Sequence, residues 1–157
     1  NPKSFASVVN FGSLRLFGGR LVITEGAAAP VTDYEIPLSP GVTEIPGVGL
    51  AVVGNLANNP LLPPKNLYKY ATSLSFLSDN IKGKLSVRNR AGDRILAGGM
   101  HRAVRKLPAL SALPVAVRQR MPLLADESGL LAVPFYRPRD GAAGGAQNDM
   151  TVWFYFD

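Results

Sequence analysis

The sequence contains no cysteine. Structural disulfides, thiolate metal sites and cysteine nucleophiles are therefore excluded, and a reducing compartment, the cytoplasm, is expected. Histidine is almost as scarce. His101 is the only one, and no cluster of Asp or Glu lies near it at ligand spacing. No apolar run reaches the length that spans a bilayer, and the N-terminus lacks a signal-peptide layout. The chain starts Asn1-Pro2-Lys3 without an initiator Met, as a fragment of a longer protein or a processed product would. Phosphate-binding loops of the Gly-x-x-x-x-Gly-Lys-Ser/Thr and Gly-x-Gly-x-x-Gly types are missing, as is a Gly-x-Ser-x-Gly elbow. A Ser-His-Asp arrangement converges in space and stays open, but the sequence offers no cluster of titratable groups from which to build an active site.

Acids are missing from one stretch in particular. Ten of the seventeen Lys and Arg residues fall between Lys82 and Arg120, with Asp93 as the single acid among them. The remaining seven bases face ten acids. The overall charge of +6 is thus a local basic block on a mildly acidic body. Such a block meets an anionic polymer, docks an acidic protein, or is a solvated face. Charges inside it have almost no local counterion, and arginine outnumbers lysine, so nucleic acid is favoured. Aromatics are also missing: residues 82–120 contain no Phe, Tyr or Trp. Single-strand binders stack bases on aromatics, whereas a duplex is held by its backbone, so a folded or double-helical RNA is the expected target.

What is present reads mostly as strands. With 157 residues and 46% hydrophobic content, the chain fits one compact domain with a β-rich half over 1–80 and a basic α+β half over 81–157. Leu14, Leu16, Leu21 and Ile23 alternate around Gly18-Gly19, a hairpin pattern. Residues 34–38 form a short strand that Pro37 places at a sheet edge. Strands are also expected over 42–45, 50–53, 72–77, 84–88 and 150–156, with Leu85 and Val87 facing the core. Residues 58–66 hold three prolines and read as an exposed loop, residues 90–100 as a glycine-containing loop, and Gly92 as a positive-φ turn. Met100, Val104 and Leu107 share a helical face, and a second short helix follows Pro114. Asp126 and Glu127 sit at the tip of a hairpin over 123–135 and read as solvated. Gly98-Gly99 before the expected helix reads as a flexible turn rather than a phosphate loop, and residues 141–145 as a flexible loop. The fold class is α+β, mostly β: sandwich-like antiparallel or mixed sheets with a few short helices.

The basic block also carries a resemblance. Val87-Arg88-Asn89-Arg90-Ala91-Gly92-Asp93-Arg94 resembles the Val-Arg-x-Arg…Gly-Asp-Arg motif in the C-terminal region of bacterial tRNA(Ile)-lysidine synthetase. Gly99-Met100 with Arg105-Lys106-Leu107 is similar to the family's Gly-Met…Lys-Lys-Leu segment. Residues 113–124, continued by Asp126, Gly129 and 130–134, resemble its Ile-Pro…Arg…Pro-Leu-Leu-x-Asp segment. The order and spacing follow the family through the second half and more loosely through residues 1–80. Two departures stand out: the first motif is a residue tighter, and the stretch between Leu107 and Leu113 is shorter and lacks an aromatic-rich helix.

The resemblance implies a β-sandwich flanked by helices that grips tRNA, at the acceptor stem, by backbone contacts. The chemistry, conversion of the wobble cytidine of a CAU-anticodon isoleucine tRNA to lysidine with ATP and lysine, belongs to an N-terminal domain with a Ser-Gly-Gly-x-Asp-Ser loop that this chain lacks. The chain itself is then expected to be non-catalytic, without cofactor or metal, and partnered by tRNA and by its own catalytic domain. Arg88, Arg90, Arg94, Arg102, Arg105, Lys106, Arg118 and Arg120 are the candidate RNA contacts. Arg88 and Arg118 lie beside apolar positions, where pairing with Asp93 or Asp126 is expected to make some of the eight structural. The alternative is a protein-interaction module that docks an acidic partner through the basic face.

Overall fold

The computed structural model describes residues 33–55 and 60–157, together with the strand segments 14–17 and 20–23. Its strands, in chain order, are β1 (Leu14–Phe17), β2 (Arg20–Ile23), β3 (Glu35–Pro37), β4 (Gly41–Ile45), β5 (Gly49–Asn55), β6 (Tyr70–Phe76) and β7 (Ser86–Arg88). They continue with β8 (Arg94–Ala97), β9 (Met100–Ala103), β10 (Leu123–Asp126), β11 (Gly129–Val133), β12 (Arg137–Pro138) and β13 (Met150–Phe156). Among the described residues one α-helix, α1 (Val115–Arg120), and several 3-10 turns link them. The class is α+β and mostly β, as the strand patterning predicts.

Two antiparallel sheets carry the structure, ordered β12-β11-β10-β7-β3 and β4-β5-β13-β6. Period-two patterning explains how they pack. Val152, Phe154 and Phe156 of β13 point to one side and are fully buried, in one cluster with Val87, Leu124 and Leu131 of the other sheet. Tyr155 and Trp153 point to the opposite side, where they pack with Leu50, Val52, Leu67 and Tyr68. The four-stranded sheet is therefore covered on both faces, by the second sheet and by the 60–68 segment. Burying each large side chain contributes about 1.5–3 kcal/mol. That proline-rich segment is consequently not a fully exposed loop, since Pro63, Leu67 and Tyr68 are buried.

β3 is an edge strand paired only with β7, as Pro37 requires. β1 and β2 pair as the alternating leucines predict, while the Gly18-Gly19 turn lies outside the described residues. The 123–135 hairpin is present as β10–β11. A bulge at Leu124/Ala125 shifts its register, and all of 130–133 is buried.

Four expectations are corrected here. Residues 94–97 are a strand, not a loop. Met100–Ala103 pairs with it as β9, and only Val104–Lys106 turns, as a 3-10 helix. Cross-strand pairing overrides the helical spacing there, because Ile95 joins the core cluster and Ala97 is buried, while Val104 and Leu107 reach the same cluster from the turn. Gly92 is not at positive φ. Gly98 and Gly99 are, at 62° and 79°, forming a two-residue turn between Ala97 and Met100. Nor is 141–145 a loose loop: Ala142 is buried, and its carbonyl accepts the Leu77 amide at 3.1 Å.

Candidate nucleic-acid interface

The short helix α1 begins after Pro114 and stops before Pro122. Proline lacks an amide hydrogen, so it is tolerated before the first turn and ends a helix at the last. α1 buries Val117 and Arg120 and leaves Gln119 exposed. It stands near the Arg88–Arg94 turn and the Val104–Lys106 turn, so the three motifs of the basic block come together.

Two of the eight candidate cations point inward. Arg88 forks onto Asp93, Nε to Oδ2 at 2.9 Å and Nη2 to Oδ1 at 3.0 Å, with little of either side chain exposed. This is the pairing expected from sequence. Arg120 is 8% exposed, and its Nη2 donates to the Asp157 carbonyl at 3.0 Å. Its own carbonyl accepts the Tyr34 hydroxyl at 2.6 Å. Burial pushes the Tyr34 phenol far above its ordinary pKa, against the opposing pull of the Arg120 charge. Arg120 is thus a core residue, poorly placed for a phosphate.

Arg118 does not pair with Asp126. That carboxylate is buried, not solvated, and belongs to Arg139. Ten residues separate Asp126 from β12, and the β10–β11–β12 meander folds Arg139 back onto it. Among the described residues Arg118 has no ion pair. It is half-buried, and its Nε is enclosed with no hydrogen-bond partner.

The remaining five are at the surface. Arg90 meets the exposed Glu35 at 2.9 Å, a contact worth little and easily exchanged. Arg94, Arg102, Arg105 and Lys106 are exposed and make no ion pair among the described residues. Arg102 donates its Nε to the Ala97 carbonyl at 2.9 Å. Register settles their directions. Arg94 lies opposite Ala103, and Arg102 lies opposite the buried Ile95, so adjacent positions send Arg94 and Arg102 to opposite faces of the β8–β9 ribbon. His101 is exposed on the Arg94 face, opposite Leu96.

The Gly98-Gly99 turn does cradle an anion, but an internal one. Asp140 accepts the Gly98 amide at 3.1 Å and the Gly99 amide at 2.8 Å, and its Oδ1 meets Arg137 at 2.8 Å. The Gly99 and Gly98 amides, then Arg137 and Arg102, hold its carboxyl below the usual range. Sequence reading named Asp140 only as a distant acid able to pair with a base, and missed Arg137 and Arg139. A Gly-Gly turn followed by acids in an arginine-rich run was the available signal.

A cavity of about 590 Å³ opens between these elements. Arg90, Arg105, Arg118 and Gln119 line it, with Asp33 and Asp93. Val104, Leu110, Val115 and Leu123 supply an apolar wall.

The fold has a solved counterpart. A crystal structure of the TilS C-terminal domain matches the chain with a TM-score of 0.52 and 20% identity, covering 80% of this chain and 97% of that one. The chain has the fold of the TilS C-terminal domain. The match spans nearly all of that domain, so the likeness covers the architecture as a whole and not a shared hairpin. No protein-family model and no curated protein matches the sequence. No helix among the described residues is long and apolar enough to cross a membrane.

Proposed function

We propose that the chain is a tRNA-binding domain of a tRNA(Ile)-lysidine synthetase. It holds the tRNA, at its acceptor stem, by phosphate contacts, while a separate N-terminal domain modifies the wobble cytidine using ATP and lysine. The observation that carries this reading is the exposed set Arg94, Arg102, Arg105 and Lys106, spread over both faces of the β8–β9 ribbon and the turn after it and without ion pairs among the described residues, on a TilS C-terminal fold. Cations left unneutralised at a surface attract a polyanion and release its counterions on contact. Arg90 joins them by exchanging Glu35 for phosphate. The test is filter binding of a CAU-anticodon isoleucine tRNA across a salt series, which gives affinity and salt slope together. Weak binding that does not respond to salt would count against the reading.

A second reading has its own support. Met100 and Val115 are large apolar side chains, 60% and 58% exposed, within the basic region. An acidic protein partner, including the enzyme's own catalytic domain, uses apolar anchors ringed by charge. Loss of Met100 and Val115 would weaken such a partner and leave tRNA binding in place.

A further inference from the structure

We infer that the cavity beside α1 takes a single unpaired nucleotide of the bound RNA, its phosphate on Arg105 and Arg118. The inference rests on the RNA-binding reading and narrows it.

Four observations converge. The first is size: about 590 Å³ lies within the range of roughly 300–1,000 Å³ typical of small-ligand pockets. A duplex presents a convex ridge of phosphates and would close over such a hollow without filling it. The second is the Arg118 Nε, enclosed without an acceptor in a residue that lines the cavity. It has no hydrogen-bond partner among the described residues, and a bound group or an ordered water would satisfy it. The third is the balance of charge. Arg88 satisfies Asp93 and Glu35 meets Arg90, which leaves Arg105 and Arg118 against Asp33. A site for a bare anion gains nothing from a carboxylate. A nucleotide is anionic at one end and carries N–H donors at the other, so it uses both. The fourth is the apolar wall, Val104, Leu110 and Val115, which offers a base the face that the aromatic-free block lacks. Guanidinium planes also stack on bases, so Arg105 and Arg118 serve in two ways.

The experiment uses fluorescence anisotropy with the whole chain and three labelled RNA hairpins sharing one stem. One is blunt, one ends in an unpaired 3′ nucleotide, and one carries a single-nucleotide bulge. The expected result is about tenfold tighter binding of at least one unpaired form, the gain from one charged hydrogen bond near the low end of its range. Ala91 also lines the cavity at its exposed rim, so Ala91→Trp fills it and should bind the three RNAs alike. The ¹⁵Nε resonance of Arg118 should shift with the favoured RNA and not with the blunt one, a readout that needs no variant. Equal affinity of the three for the unaltered chain, or an unmoved Arg118 resonance, overturns the inference and leaves backbone binding standing. Failure to bind any of them at low salt overturns the RNA reading itself.

Discussion

Arg139 grips Asp126 with both arms of its guanidinium, Nη1 to Oδ1 at 3.0 Å and Nη2 to Oδ2 at 2.7 Å. The same carboxylate accepts the Lys82 amide at 2.9 Å, the Ser128 amide at 2.9 Å and the Ser128 hydroxyl at 2.8 Å. One buried side chain therefore ties the 82 segment, the β10–β11 turn and β12 together. Removing it strands several donors at once. Asp126→Ala should cost about 3–5 kcal/mol, the range for breaking a buried pair. Arg139→Ala leaves Asp126 three donors and should cost less, about 1.5–3 kcal/mol. Urea unfolding checks the order; an Arg139 variant less stable than the Asp126 variant would contradict it.

Acid should act through the same residue. Burial alone would raise the Asp126 pKa, but hydrogen bonds from Arg139, Lys82 and Ser128 outweigh it and hold the carboxyl well below its ordinary value. A group with a depressed folded pKa contributes its full stability above its unfolded value, about 3.9. That contribution is lost as the pH falls towards the folded value. The unaltered chain should therefore lose stability steadily below about pH 4.5, and Asp126→Asn should flatten this part of the curve. Denaturation midpoints between pH 7 and pH 3 measure it. Parallel curves for the two proteins would exclude Asp126 as the source.

Phe135 stands at φ 65°, the only non-glycine at positive φ among the described residues. It follows Pro134 in a turn closed by the Tyr136 amide on the Val133 carbonyl at 3.1 Å. A turn with proline at its second position favours glycine at its third, and a side chain there costs about 1–3 kcal/mol. The ring offsets that cost by packing edge-on to Tyr70 and Phe156, at 6.2 and 6.0 Å between centroids. Phe135→Ala loses the ring and keeps most of the strain. Phe135→Gly loses the ring and the strain. The glycine variant should therefore be the more stable of the two, by about 1 kcal/mol, reversing the usual order of these residues. Thermal melts of the two variants decide the sign.

Strands whose faces alternate were legible in the sequence because burial imposes a period of two on them. β1–β2 and β13 emerged in this way, whereas β5 and β10–β11, buried on nearly every residue, emerged as short apolar runs bounded by turn residues. β8 and β9 did not. Gly92, Gly98 and Gly99 flank a strand of four residues, and Met100, Val104 and Leu107 imitate a helical face. Only pairing between the two strands, a property of the folded chain, separates these alternatives. The basic block was legible as charge, and the Arg88–Asp93 fork as a local pair. The partner of Asp126 was not, because no local rule links Asp126 to Arg139 until β12 turns back on β11. The cavity was equally hidden, since its lining comes from residues 33 to 123.

The division of the eight cations yields a test in which stability and RNA affinity move separately. Arg88→Ala strands the Asp93 carboxylate and should cost about 3 kcal/mol of stability. Arg88 forks onto protein oxygens, so the same change should leave the salt slope of tRNA binding as it was. The triple change of Arg102, Arg105 and Lys106 to alanine touches exposed side chains without ion pairs among the described residues. Each change should alter stability by no more than about 0.5 kcal/mol. Three lost phosphate contacts on a duplex should reduce the slope of log affinity against log salt by about 2.7. Arg102 shares the field of Asp140, and its Nε is already engaged by Ala97, so restoring it alone should recover least of the lost slope. Urea melts beside filter binding at four salt concentrations give both quantities from the same preparations. A slope that stays fixed in the triple variant, or falls with Arg88→Ala, would mean that exposure does not mark the RNA-facing side.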